Sequence, residues 1–236
     1  MKKWNLVLFG LMALVLSACE KVTGDGPVVT ETRNLTNFSG VDLRMNADVI
    51  YKQAPDYKVE VSAQDNIQDR LITEVENGKL VVRVKNDVRL RRHEPITITV
   101  QSPELNRLRV SGSGKITSTG LLNADELEVD ISGSGDIELA DLVTGYLDVD
   151  ISGSGDFKVV SGMAPEELLR ITGSGDIDVA NVLAKNVISN TSGSGTTRVN
   201  VSDQLRVTIS GSGNVYYKGQ PSISTSTSGS GKVRPM

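Results

Sequence analysis

Three aspartates, Asp136, Asp156 and Asp176, each directly follow a Ser/Thr-Gly-Ser-Gly phrase, and they are evenly spaced along the chain. If each repeat is one layer of a stack, their carboxylates stand one above another at the strand spacing of about 4.8 Å. Three chemistries compete for such a column. Two carboxyls about 5 Å apart are what a retaining glycosidase uses as acid and nucleophile. A column of oxygens also suits Ca²⁺, although the calcium-binding G-G-x-G-x-D repeat recurs with a much shorter period than this one. The third reading is a solvated column with no ligand. It is favoured because other copies of the phrase place Lys115, Thr196, Asn214 and Lys232 at the same position. Like charges on neighbouring strands then cost up to about 1 kcal/mol each, screened by water and salt.

Most other chemistry is excluded by composition. The chain has one His and one Cys, too few for a zinc site of Cys and His ligands. A Ser-His-Asp triad would have to use His93, which sits in the charged run RLRRHEP and reads as a solvated loop residue. Nothing implies a cofactor. The formal charge of −4 offers no basic face to nucleic acid. Aromatic residues make up only 4% of the chain, and Phe157 and Tyr217 fall on the inward side of the alternation described below. Few rings are left to stack on a sugar, which counts against a polysaccharide-cleaving groove.

The single cysteine points elsewhere. The chain opens MKKWNLVLFGLMALVLSAC: Lys2 and Lys3 form a positive start, and Leu6 to Leu16 is a short uncharged apolar run. That is the layout of a secretory signal, and it is too short to span a bilayer. Leu16-Ser17-Ala18-Cys19 resembles the bacterial lipobox, in which the cysteine is lipidated and becomes the first residue. Residues 1–18 are thus read as a lipoprotein signal peptide and residues 19–27 as a lipid-anchored tether. The expected partner is a membrane, reached through lipid on Cys19, since two or three acyl chains hold a protein on a bilayer stably. Glu20 stands where enteric bacteria use Asp for inner-membrane retention, so the expected address is the envelope's outer membrane, facing the periplasm or the exterior.

The elements that position these residues are written in the repeats. Copies of the phrase begin at Ser111, Ser132, Ser152, Thr172, Ser192, Ser210 and Ser228, and the last two intervals are slightly shorter than the rest. Apolar residues stay in register around them. Leu127, Val129 and Ile131 precede one copy, Leu147, Val149 and Ile151 the next, and Leu205, Val207 and Ile209 a later one. Period-two alternation of this kind is a strand with one buried face. Gly133 and Gly135 share the odd parity of the core positions, so the glycines remove side chains inside a narrow tube, permit positive φ, or both. The expected fold is all-β: a parallel β-helix (solenoid) with coils of about 18–21 residues, each hydrogen-bonded to the next. The outward serines read as small hydroxyls packed along a sheet, or as a flat repetitive surface for weak multivalent contact.

Residues 28–105 alternate without the phrase, as in Val41-Asp42-Leu43 and Lys58-Val59-Glu60-Val61. Asn66–Thr73 reads as one or two helical turns, Glu76-Asn77-Gly78-Lys79 as a turn, and Ile96–Val100 leads towards Leu108 and Val110. These are expected to be irregular N-terminal coils acting as a cap on the repeat coils of 106–236, within one head domain of 28–236. Taken together, LTNFSGVDLRMNADVIYKQ, EVENGKLVVRV and the ladder LRVSGSGKI, VDISGSGDI and RVTISGSGNV resemble the bacterial "putative auto-transporter adhesin, head GIN domain" family. The resemblance spans roughly Val29 to Gly231. It implies the same β-helix, leans towards adhesion, and supplies no catalytic motif. The expected function is a non-catalytic, lipid-anchored envelope protein serving as an adhesion-type or structural binding module. The runner-up is a polysaccharide-active enzyme using Asp136, Asp156 or Asp176.

Overall fold

A computed structural model describes residues 20–236. Cys19 and the signal peptide lie outside the described residues. The chain is a β-solenoid of about 6 turns, and around the repeated phrase its register follows the sequence register. Leu127 stands opposite Leu147, Val129 opposite Val149 and Ile131 opposite Ile151. Gly133, Gly153, Gly173, Gly193, Gly211 and Gly229 form one continuous column. The expected inward residues of the complete coils are buried in a single core running through the stack.

Each coil has three faces, and burial shows how the corners differ. Along Leu121–Gly133 the buried positions change from Leu122 to Leu127, Val129 and Ile131, because Asp125 and Glu126 are both exposed. Two successive outward residues turn the chain and reverse its parity. At the SGSG corner parity is kept instead, since Ile131, Gly135 and Ile137 are all buried.

The two glycines of the phrase have separate tasks. Gly153 has φ +148, and a Cβ there would also overlap the carbonyl oxygen of Gly133 one coil below. Gly155 has no positive φ, yet its Cβ would lie on the Gly135 carbonyl oxygen and 2.8 Å from Cγ2 of Ile131. The first glycine therefore meets a dihedral and a steric demand, and the second a steric one alone.

The N-terminal region caps the solenoid through an ordering that differs from chain order. The first repeat coil, with strands Arg107–Val110 and Lys115–Ser118, does not stack on its chain predecessor Thr97–Ser102. It stacks on Gly40–Leu43 and Asp48–Gln53. Those strands stack in turn on Lys79–Val84 and Thr97–Ser102. An early coil is thus held between two later ones. Beyond it, Leu71–Glu76 and Lys58–Gln64 close the two exposed faces antiparallel, and Val28–Thr32 adds outside the latter. The turn read at 76–79 carries positive φ at both Asn77 and Gly78, as a two-residue antiparallel hairpin requires. The helical segment is one turn, Asp65–Gln68. It is fixed by the buried Gln68, whose Nε2 donates to the carbonyls of Val29 (2.9 Å) and Val61 (2.8 Å).

Candidate functional site

The structure brings Asp136, Asp156 and Asp176 into one column and gives each the same hydrogen bond. The amide of Asp156 donates to Oδ1 of Asp136 (3.1 Å), that of Asp176 to Asp156 (2.9 Å), and that of Thr196 to Asp176 (2.8 Å). Where the residue below is not Asp the amide turns elsewhere. Asp136, above Lys115, bonds to the carbonyl of Gly114, and Asn214, above Thr196, bonds to that of Gly195. Each aspartate thus ties its corner to the next coil with a charge-assisted bond. Asp176 also pairs with Arg198 at 3.5 Å. Among the described residues no group of three or more His, Cys, Asp or Glu is placed to hold a metal ion. His93 lies apart from the column, its Nδ1 2.7 Å from the carbonyl of Glu94.

A second set of acids lies on the face before the SGSG corner. Glu128 stands beside Asp148 and Asp130 beside Asp150. Arg107 brackets this square from the coil below through an ion pair to Glu128. Arg170 brackets it from the coil above, reaching Asp148 at 2.7 Å and Asp150 at 2.9 Å. Partial burial, opposed by the arginines, pushes the carboxyls of Asp130 and Asp148 above the usual carboxylate range. The two arginines offset part of the charge of the four acids, and each acid lies beside at least one like-charged neighbour on the next coil.

Two concave features come from irregularities in the stack. The first is a polar cleft of about 710 Å³ where the chain leaves Thr97–Ser102 and steps over the interleaved coil to Arg107. Lys79, Glu104, Asn106, Arg107, Asp125 and Glu128 lie along it. The crossover is pinned by Gln53, whose Nε2 donates to the carbonyls of Pro103 and Asn123 and whose Oε1 accepts from the amide of Asn123 at 2.7 Å.

The second lies on the third face, where the repeat shortens. Asp178 pairs with Arg198, Leu183 with Asn200 and Asn186 with Gln204, so the chain offset between partners is smallest at Leu183. The shortened coil leaves a groove of about 450 Å³ beside Met163, Pro165, Leu183 and Val201. Val143, Met163 and Leu183 are stacked in register, pointing outward with 40%, 48% and 55% of their surface exposed.

One titratable group is inside the tube. Glu167 occupies the column position of Leu147 and Val187. It is 3% exposed, and neither carboxylate oxygen has a hydrogen-bond partner. The next coil turns Ser189, Thr191 and Thr197 inward, and their hydroxyls also lack partners. Burial drives the Glu167 carboxyl well above its ordinary value, so it is held as the neutral acid.

Comparison with known proteins places this geometry. A profile of the family described as "Putative auto-transporter adhesin, head GIN domain" matches residues 37–221. No curated protein matches the chain. Among solved structures, a "putative adhesin" from Bacteroides fragilis is similar over 91% of this chain and 100% of its own, at 25% identity and TM-score 0.85. A "putative lipid binding protein" from Parabacteroides distasonis is similar over 92% and 100%, at 26% identity and TM-score 0.77. A "putative adhesin" from Parabacteroides merdae shares the fold over 92% of this chain and 99% of its own, at 22% identity and TM-score 0.76.

Proposed function

Since this chain belongs to the "putative auto-transporter adhesin, head GIN domain" family, we propose that it is a non-catalytic binding module of the bacterial cell envelope, anchored through lipid on Cys19. The observation that carries the reading is the column structure. Outward side chains repeat at one coil spacing along a rod, which suits many weak contacts made together. The aspartates that offered the main enzymatic alternative each give an oxygen to a backbone amide of the following coil, and this favours structural over catalytic use.

Two experiments test anchoring and address. Labelled palmitate fed to cells is expected to enter the parent protein and not its Cys19→Ala variant, and a parent without label would overturn lipid anchoring. Protease added to intact cells is expected to digest the head. Protection until the outer membrane is permeabilised would place the module in the periplasm and redirect the search to envelope partners.

A second reading is favoured by the exposed apolar column and the adjoining groove: the module binds a lipid, the property named for the "putative lipid binding protein" of Parabacteroides distasonis.

A further inference from the structure

We propose that the groove on the third face binds the single chain of a fatty acid, with Lys185 holding the carboxylate; this deepens the lipid reading and rests on it. The groove has a structural cause. The interval between copies of the repeated phrase shortens after Ser192. The loss is taken up beside Leu183, where the partner offset reaches its minimum before settling at the shorter repeat from Asn186 onward. Lys218 spans the same step, its Nζ donating to the carbonyl of Ala180 (3.1 Å) and to Oδ1 of Asn181 (3.2 Å) two coils below. The recess is thus bridged at one corner and open along its length.

Its chemistry is divided as an amphiphile requires. Met163, Pro165, Leu183 and Val201 supply apolar surface, and Val143, stacked beneath Met163, extends it by one further coil. Asn200 and Lys185 supply the polar rim. Lys185 makes no ion pair among the described residues and lies two positions from Leu183, where it can meet an anionic head, whereas Lys218 is held by the Ala180 carbonyl and Asn181. The volume of about 450 Å³ is at the small end of ligand sites. That matches one chain and one head better than a two-chain lipid. Exposed apolar columns are uncommon on a soluble face without a partner, and the rim charge favours an anionic amphiphile over a neutral surface.

The test uses the chain from Glu20 onward, made without the signal and therefore without lipid, and a fluorescent fatty-acid probe displaced by palmitate. One probe per chain is expected, with displacement by palmitate but not by hexadecanol at the same concentration. Removing buried apolar contact by Leu183→Asn should weaken binding about tenfold, while Lys185→Glu should abolish the preference for palmitate over the alcohol. Both positions are exposed, so circular dichroism is expected to be unchanged. If neither palmitate nor lysophosphatidylglycerol binds, the groove assignment and the lipid reading fall together. Binding that survives Leu183→Asn and Met163→Asn overturns the site and leaves the lipid reading standing. Preference for lysophosphatidylglycerol overturns the fatty-acid assignment. A concentration-dependent dimer dissolved by Leu183→Asn gives the column to a second copy instead.

Discussion

At the scale of single residues, Glu167 is the sharpest departure from the repeat. Its column neighbours are apolar, and its carboxyl is kept protonated by burial. Stability from the protonated form is fully present below the ordinary carboxylate value and is lost as pH rises through the raised native value. Glu167→Gln should therefore gain on the parent as pH rises from about 4.5, levelling off above the native value, in urea melts across that range. Glu167→Leu should raise stability by about 2 kcal/mol at neutral pH. A flat difference with pH, or a loss in the Leu variant, would show that the acid has a partner in solution. This residue was legible in the sequence, because counting six back from Gly173, as for Leu127 and Leu147, lands on it. The aspartate column was equally legible in place but not in purpose. Whether a carboxylate faces water or accepts the next coil's amide depends on a backbone direction that residue type does not encode.

At the scale of elements, the SGSG corner could be read because it tolerates almost no other sequence. Adding one methyl at Gly155 sets it against a carbonyl oxygen and an isoleucine methyl, so Gly155→Ala is expected to cost about 3 kcal/mol or more by thermal melt. The third face was harder to read. Its strands are short, and its parity reverses at Asp125-Glu126 and again between Leu139 and Leu142, so alternation counted through the phrase loses phase there. The interleaved coil left no mark at all. Val41-Asp42-Leu43 alternates like any strand, and nothing in it names Leu108 as its neighbour. The crossover that results is held by one side chain, and Gln53→Ala should cost about 2 kcal/mol for its three hydrogen bonds. Unchanged stability would mean that water replaces them.

At the scale of the whole molecule, backbone stacking joins each coil only to its neighbours, so the two ends bear on solubility. The cap closes one end with antiparallel strands. At the other, Ser222–Gly229 is exposed throughout, and its inward columns carry Thr225 and Thr227 where the coil below has Val207 and Ile209. Thr225 and Thr227 thus carry two of the core columns onto polar residues while Ile223 continues the third, and Lys232, Arg234 and Pro235 discourage pairing along the next face. Thr225→Val with Thr227→Ile is expected to raise self-association in light scattering. No change would show that the basic strand alone protects the end. The interleaved coil also governs assembly in time. Gly40–Gln53 has stacking partners only in segments that come later, between residues 79 and 118, so a chain delivered N-terminus first has no template to grow on until more than a third of it has arrived. It would emerge slack, suited to passage through an export channel, and then zip one coil at a time towards its C-terminus.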